Sequence, residues 1–586
     1  MKKILQKSTR WLDLFSCVIK ISPGLFFAEY LVSGIYGISL AFTPLCMERI
    51  FEAIAKLARQ EILPIQMLSP ILILLGVNII SEISAGISDY LGETYSDLAG
   101  QKLYSEINKK IGTLPAIDFE NTDTLNLINK SYEGAYYVRG MVHTVMDLLT
   151  MYIPYIVIYA WYLYHCRPIL PVALIMIFAP IAISQIVKKR SYAQLEDDSA
   201  PLRRMREHLA ECIASKEYIV ESRGLGAQPF LFQKYWAVQD DLNRHVMRIQ
   251  KKNCKIDTVC ILLNALGFLG VIFLLVESVS KQYIELGSFV AVFASVRTVY
   301  QQVDEVINIR AGELSSAVVK VNNYLRFCKL SGEEYRNEPI PTIQHISVNN
   351  ISFQYPNGKD ALRNISFDAD RGDLIAIVGE NGSGKTTLAK ILAGIYSPTN
   401  GSITYDASVR SAYEIRSVTS QLFQKYSRYR MSLEENVTIS TKQMHHRSEI
   451  ISALETAHIG LNWFTDGLDT NLGREFGGTE LSGGQWQRVA LARAVYRPCQ
   501  VIVFDEPTAA IDPNNEAELY HSFAESSAEK FGFIITHRLG IVQLCQKVLV
   551  LKDGQFIDFG SHEDVLSRSE YYQQLWTAQA EQYMSQ

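Results

Sequence analysis

The sequence predicts a two-part chain: an all-α membrane domain of six helices, fused to an α/β nucleotide-binding domain of the P-loop kind. Three observations predict it. Hydrophobic residues make up 48% of the chain, yet the long apolar runs crowd into its first 310 residues. From Ile346 onward, short alternating strands give way to strands interleaved with helices. Gly379-Glu380-Asn381-Gly382-Ser383-Gly384-Lys385-Thr386-Thr387 fits G-x-x-x-x-G-K-[ST], a loop that cradles phosphate.

Length and composition narrow the classes. At 586 residues the chain has room for about three or four domain-sized units. Its formal net charge is −5 and 20% of its residues are charged, so no nucleic-acid partner is expected. The nine cysteines are scattered singly, without a C-x-x-C pair or His/Cys cluster, which reads as reduced thiols rather than disulfides or a metal site. Met1-Lys-Lys-Ile-Leu-Gln-Lys7 is basic and runs into an apolar stretch without a small-residue cleavage site, as a cytosolic lead-in to a membrane span would.

Six stretches are long and apolar enough to cross a bilayer, approximately 25–47, 65–87, 141–164, 168–187, 258–279 and 284–307. The sixth is interrupted by Arg297, Gln301, Gln302, Asp304 and Glu305, so it belongs beside protein or water rather than lipid. Segments 163–168 and 279–284 are tight turns, whereas 88–140 and 188–257 are long, polar and, in the second, rich in Lys and Arg. The positive-inside rule then puts both long segments, both termini and the nucleotide domain in the cytoplasm of a multi-pass protein. The loop 48–64, with Arg49, Lys56 and Arg59, falls outside. Each long segment reads as helical with one break, at Leu114–Thr124 and at Gly224–Pro229. Short helices there either dock on a soluble domain or are hairpin tips. Glu29, Glu82, Asp147, Arg297, Asp304 and Glu305 fall in or near the spans; each is a functional candidate or an interfacial charge, and the acidic excess fits a cationic cargo.

Residues 311–343 turn polar and end in Glu338-Pro-Ile-Pro341, giving a membrane domain over 1–325, a linker over 326–343 and a nucleotide domain over 344–586. Leu374-Ile-Ala-Ile-Val378 reads as the buried strand before the phosphate loop, and Leu388–Ala393 as the helix after it. Lys385 should reach the β- and γ-phosphates of a bound nucleotide, and the Thr386 hydroxyl should hold Mg²⁺. Val501-Ile-Val-Phe-Asp505-Glu506 is a buried strand ending in two carboxylates. Asp505 can position Mg²⁺, and Glu506 can orient and deprotonate the attacking water. Phe533-Ile-Ile-Thr-His537 ends at the same sheet edge, where His537 can bond the γ-phosphate. Leu481-Ser482-Gly483-Gly484-Gln485 opens a further helix, whose N-terminus is a second anion-binding surface.

With these residues assembled, the chain resembles an ATP-binding cassette exporter, a half-transporter of the type I fold with one six-helix membrane domain and one nucleotide domain. The resemblance rests on Gly379–Thr387, Gln424, Leu481–Gln485, Val501–Glu506, Asp512 and His537. It implies a head-to-tail dimer in which ATP lies between Gly379, Asn381, Gly382, Ser383, Gly384, Lys385, Thr386 and Thr387 of one chain and the Leu481–Gln485 signature of the other. It implies Tyr355 stacked on adenine, Gln424 sensing Mg²⁺ with Thr386 and Asp505, Glu506 as catalytic base, His537 as γ-phosphate sensor and Asp512 in the loop after the second strand. That loop departs from the family: Ala509-Ala510-Ile511-Asp512 stands where Ser-Ala-Leu-Asp is common, so a serine hydroxyl is absent. The breaks near 115–128 and 224–235 look like the family's coupling helices. With every catalytic position matched, a homodimer is favoured, and a heterodimer with a degenerate partner is the alternative. Phe423–Tyr429 and Leu481–Arg488 resemble the lantibiotic and bacteriocin-peptide exporters of Gram-positive bacteria. About 25 residues precede the first span, too few for a peptidase domain.

The expected activity is therefore ATP hydrolysis coupled to export across the plasma membrane by alternating access. A modified peptide is the first-choice cargo, with a lipid or a small amphipathic drug as alternatives. A reading of another class, an ATP-gated channel or regulatory cassette protein, stays open. An importer is disfavoured by the fusion of the two parts.

Overall fold

The computed structural model describes residues 14–333, 340–440, 446–506, 521, 524–525, 527–536 and 538–584. The basic N-terminal lead-in, Asp512 and His537 lie outside the described residues, as does much of the polar run before Pro341. The chain divides into two compact units that do not follow sequence order strictly: Met1–Lys109 with Leu127–Lys329, and Lys110–Asn126 with Leu330–Gln586.

The first unit is helical throughout. Its long helices are α1 (Pro23–Ala58), α2 (Leu68–Ile111, entered through a 3-10 turn at Pro64–Met67), α3 (Thr122–Cys166), α4 (Ile169–Ala214), the short α5 (Lys216–Gly224), α6 (Gln228–Ser280), α7 (Leu286–Asp304) and α8 (Ala311–Cys328). Among the described residues four helices, α1, α2 (with its 3-10 entry), α3 and α6, are long and apolar enough to span a bilayer. The segment 168–187 forms the first half of α4, and the polar-interrupted sixth stretch forms α7. At 44 to 53 residues, α2, α4 and α6 far exceed the ~20 residues that a bilayer requires, so they project beyond it. Leu72, Ile79, Leu262 and Leu266 are exposed in this unit, as lipid-facing side chains are. Its interior relies on close backbone approach and on polar glue. A Cβ on Gly37 would lie 2.5 Å from the Met151 carbonyl oxygen of α3, and Tyr159 and Ser295 share a hydrogen bond of 2.8 Å between α3 and α7. Two π-helical turns interrupt the regular ladder, at Leu148–Tyr152 within α3 and at Glu305–Arg310 between α7 and α8.

The second unit is built on a ten-stranded sheet in the order β5-β4-β1-β2-β10-β9-β3-β8-β7-β6. β1 (His345–Gln354), β2 (Asp360–Asp370), β4 (Asn400–Tyr405) and β5 (Ser408–Arg410) form an antiparallel flank. β6 (Thr419–Leu422), β7 (Val501–Asp505), β8 (Phe531–Ile535), β3 (Leu374–Val378) and β9 (Lys547–Lys552) are parallel neighbours, and β10 (Gln555–Gly560) joins the two halves. β3, β7 and β8 are buried along their whole length, which is why they read as unbroken apolar runs rather than alternations. Their side chains still sort by period two: Leu374, Ala376 and Val378 enter one core, Ile375 and Ile377 the other. Register places Ile377 of β3 opposite Ile535 of β8, and Ile535 opposite Asp505 of β7. The ends of the three strands therefore open at one sheet edge.

The break in the first long segment belongs to this unit, not to the helices on either side of it. Its 3-10 turn, Ala116–Glu120, sets Ala116 and Ile117 against the core beneath β1, β2 and the helix α9 (Lys385–Leu392). Glu120 accepts a 2.5 Å hydrogen bond from the Tyr396 hydroxyl and lies 3.7 Å from the Lys390 ammonium of α9. The Glu333 N–H donates to the Thr113 carbonyl at 2.7 Å, tying the start of the second stretch to the same turn. The other break is a loop at Leu225–Ala227, with Gly226 at φ +64°, between α5 and α6 in the first unit. Val220, Leu225 and Phe230 around it are exposed.

Candidate functional site

The phosphate loop leaves β3 at Gly379 and closes into α9 at Gly384. Two of its glycines are obligatory. A Cβ on Gly379 would lie 2.2 Å from the Leu551 carbonyl oxygen, and Gly384 caps α9 at φ +96°, a left-handed geometry that costs other residues about 1–2 kcal/mol. Lys385, 6% exposed, folds back under the loop and donates from Nζ to the carbonyls of Gly379 and Glu380, both at 2.8 Å. Burial pushes its ammonium pKa down, and Glu506, Asp505 and Glu380 pull the other way. A polyanion laid on the loop would supply the negative charge that this buried cation lacks.

Asp505 ends β7 as a buried carboxyl bonded to Thr386. Burial pushes its pKa above the usual carboxylate range against the pull of that hydroxyl, and Oδ2 has no hydrogen-bond partner. Ser383 Oγ is likewise buried and unpartnered. These orphaned oxygens are what a hydrated cation and a phosphate would satisfy. The Thr386 hydroxyl and the Asp505 carboxylate, which bond one another, are hard oxygen donors of the kind that suits Mg²⁺.

Glu506 follows at φ +51°, a conformation rare outside glycine. Its N–H still donates to the Ile535 carbonyl at 3.0 Å, so the strand pairing survives while the side chain turns off the sheet. The carboxylate accepts from Gln424 Nε2 at 2.7 Å. Two residues on, the Tyr426 hydroxyl donates to the Gly483 carbonyl at 2.7 Å. One loop thus connects the carboxylate that follows β7 to the Leu481–Gln485 turn. That turn is a capping box: Ser482 Oγ accepts from the Gln485 N–H at 3.3 Å, and Gln485 Oε1 accepts from the Ser482 N–H at 2.9 Å. Both caps serve the helix α10, Gly483–Tyr496, whose own Trp486 is buried, as is Leu481 just before it. Tyr355 bonds the Thr387 hydroxyl at 3.0 Å and packs edge-on against Phe353 and Tyr396. Tyr396 is the residue that reaches Glu120.

Of the residues picked out in the sequence, Tyr355, Gly379–Thr387, Gln424, Asp505 and Glu506 converge on the opening of β3, β8 and β7. Leu481–Gln485 is tied to them through Tyr426. Asp512 and His537 lie outside the described residues. Tyr426, Tyr396 and Glu120 were missed. Proximity to Gln424 was the one signal for Tyr426, and the break at 114–124 the one signal for Glu120.

Residues 362–509 match the family model of the ABC transporter domain. The chain is similar to the subtilin transport ATP-binding protein of Bacillus subtilis, at 27% identity over 87% of this chain and 84% of that protein. It is 39% identical to the nisin transport ATP-binding protein of Lactococcus lactis, over 44% of this chain and 43% of that protein. An ATP-dependent lipid A-core flippase of Vibrio parahaemolyticus is 29% identical over 60% of this chain and 61% of its own length. In fold, the chain matches the solved structure of a bacterial Atm1-family ABC exporter with ATP bound, at a TM-score of 0.73 and 18% identity, over 94% of this chain and 98% of that one.

Proposed function

We propose, for a chain whose residues 362–509 match the ABC transporter domain and whose fold is that of a solved ABC exporter, that ATP binding and hydrolysis drive export of a peptide through its membrane unit. ATP-driven export is the function of the molecule, and the peptide is the finer reading. The observation that carries the chemistry is Glu506. It stands off the end of β7, held by Gln424, beside a loop whose buried Lys385 donates to the loop's own carbonyls. Lys385 neutralises phosphate oxygens, and Glu506 orients water and takes its proton. Thr386 and Asp505 would hold Mg²⁺, which would supply further positive charge to the phosphates.

The Leu481–Gln485 turn is a second anion-binding helix start on the same domain, so a dimer completes two sites. Identical chains suffice, since this chain carries both halves. Relatives named for subtilin and nisin transport favour a peptide; relatives named as lipid A-core flippases are the second reading. Both termini and the nucleotide unit face the cytoplasm of a multi-pass plasma-membrane protein. The test is uptake into inside-out vesicles. Accumulation of a labelled peptide that requires ATP supports the reading, and an ATP-gated ion conductance without accumulation overturns it.

A further inference from the structure

The membrane unit encloses a cavity of about 1030 Å³ between α1, α2, α3 and the α7–α8 turn. Its wall carries five carboxylates against two guanidiniums, Arg139 and Arg310, a formal excess of three negative charges with His143 neutral. The charges are only partly spent on one another. Glu29 Oε1 lies 3.2 Å from His143 Nδ1, and His143 Nε2 lies 3.3 Å from Asp147. Asp147 is 3.6 Å from Arg310, which also holds Glu305 at 3.2 Å. Glu29 itself is 2% exposed, and its second oxygen, Oε2, is buried without a partner. Gln302 Oε1, also on the wall, is a second buried acceptor without a donor. Two acceptors in a negatively charged cavity call for N–H groups on a cation. Tyrosine rings, Tyr30, Tyr36, Tyr136 and Tyr152, line the same space and favour a cation near their faces. Both π-helical turns of the unit border it, at Tyr152 and at Glu305–Arg310; such turns widen a helix locally and recur at binding sites.

Position adds to the chemistry. Glu29, Asp89, His143 and Glu305 all fall within about four residues of one end of the expected spans 25–47, 65–87, 141–164 and 284–307. With the cytoplasmic termini of the proposed function, on which this inference rests, that end is the cytosolic mouth.

We propose that this cavity is the entry site for the exported peptide and receives one of its cationic groups, a lysine, an arginine or the N-terminal ammonium, with Glu29 as the pairing carboxylate. An anionic lipid headgroup meets the wrong sign of charge there.

The test uses the full chain in nanodiscs of uncharged lipid, without nucleotide, and two fluorescent probes. One is an amphipathic peptide bearing lysines, the other the same peptide with every lysine replaced by glutamine. Wild type should bind the lysine probe at least about tenfold more tightly, with a preference that shrinks as salt is added. Glu29→Gln should abolish the preference and Glu29→Asp should keep it. Equal affinity for the two probes, or a preference that survives Glu29→Gln, overturns the proposal. If Glu29→Gln does not fold, carbodiimide labelling of Glu29 in wild type decides. Protection by the lysine probe alone supports the site, and labelling that neither probe alters overturns it. Failure of the export reading looks different: wild-type protein that hydrolyses no ATP, whatever the probes do.

Discussion

At the end of β7 one backbone angle separates two adjacent acids into different tasks. Asp505 stays in the strand, buried and bonded to Thr386, whereas Glu506 turns through φ +51° and meets Gln424. Glu506→Gln keeps the shape and removes the base. Phosphate release should fall by a factor of about 10²–10³ or more while MgATP binding persists, measured side by side by phosphate assay and by fluorescent-nucleotide titration. Retained hydrolysis would remove Glu506 from the role of base. The positions of this site were legible because G-x-x-x-x-G-K-[ST] and a strand ending in two acids demand particular residues at fixed spacing. The contacts among them were not. Gln424 and Glu506 are 82 residues apart, and nothing in local pattern records that they share a hydrogen bond. The left-handed turn at Glu506 was hidden for a related reason: glutamate gives no signal of positive φ as glycine does.

At the scale of elements, the 3-10 turn Ala116–Glu120 reaches the phosphate-loop helix by one short path. Glu120 bonds Tyr396, Tyr396 packs on Tyr355, and Tyr355 bonds Thr387 at the start of α9. Glu120→Gln should weaken the link to Lys390 and Tyr396. Stimulation of ATP hydrolysis by transported peptide should then fall several-fold, with nucleotide affinity held within about twofold, as expected for an interaction remote from the phosphates. Unchanged stimulation would show that the turn transmits nothing through Glu120. The antiparallel flank carries a pH signature of its own. His345 Nδ1 and Asp370 Oδ1 lie 2.8 Å apart across β1 and β2; the carboxylate raises the imidazole pKa, and the imidazole holds the carboxyl below its usual range. A raised histidine pKa stabilises below its unfolded value of about 6.5 and loses that contribution as pH climbs through the folded value. The depressed Asp370 acts oppositely, its share disappearing as pH falls through the folded carboxyl pKa. Thermal melts should therefore show a small loss of stability on the alkaline side of His345, absent in His345→Gln. Screening by solvent keeps the effect small, because both groups are largely exposed. The strands themselves were plain in the sequence; this cross-strand pair depends on register, which alternation does not fix.

For the whole molecule, the prediction concerns composite sites. Lys385→Ala disables the phosphate loop and Ser482→Arg the capped helix start, so each variant alone should be inactive. A head-to-tail dimer of one chain of each kind retains one intact site. Co-reconstituted in equal amounts, the two should recover about a quarter of wild-type ATPase activity, half the dimers being mixed and each carrying one good site. No recovery would place each site within a single chain. At this scale the sequence was least informative about the membrane unit. Hydropathy marks where helices run, but Glu29, His143 and Asp147 form an ion chain only because α1 and α3 pack together. Spacing alone left Glu29 and Asp147 with an ordinary interfacial explanation and passed over His143.

The nucleotide unit is discontinuous in sequence, since Lys110–Asn126 joins it from between two long helices. During synthesis that piece emerges well before Leu330, so it waits, with Ala116 and Ile117 uncovered, for the core that receives it. A soluble fragment beginning at Leu330 would carry the reciprocal wound, an apolar notch beside a Tyr396 hydroxyl and a Lys390 ammonium with no Glu120 to meet them. Burial of that turn therefore waits on strands translated after it, and quality control that senses exposed apolar chain would read a stalled cassette through a turn encoded far upstream of it.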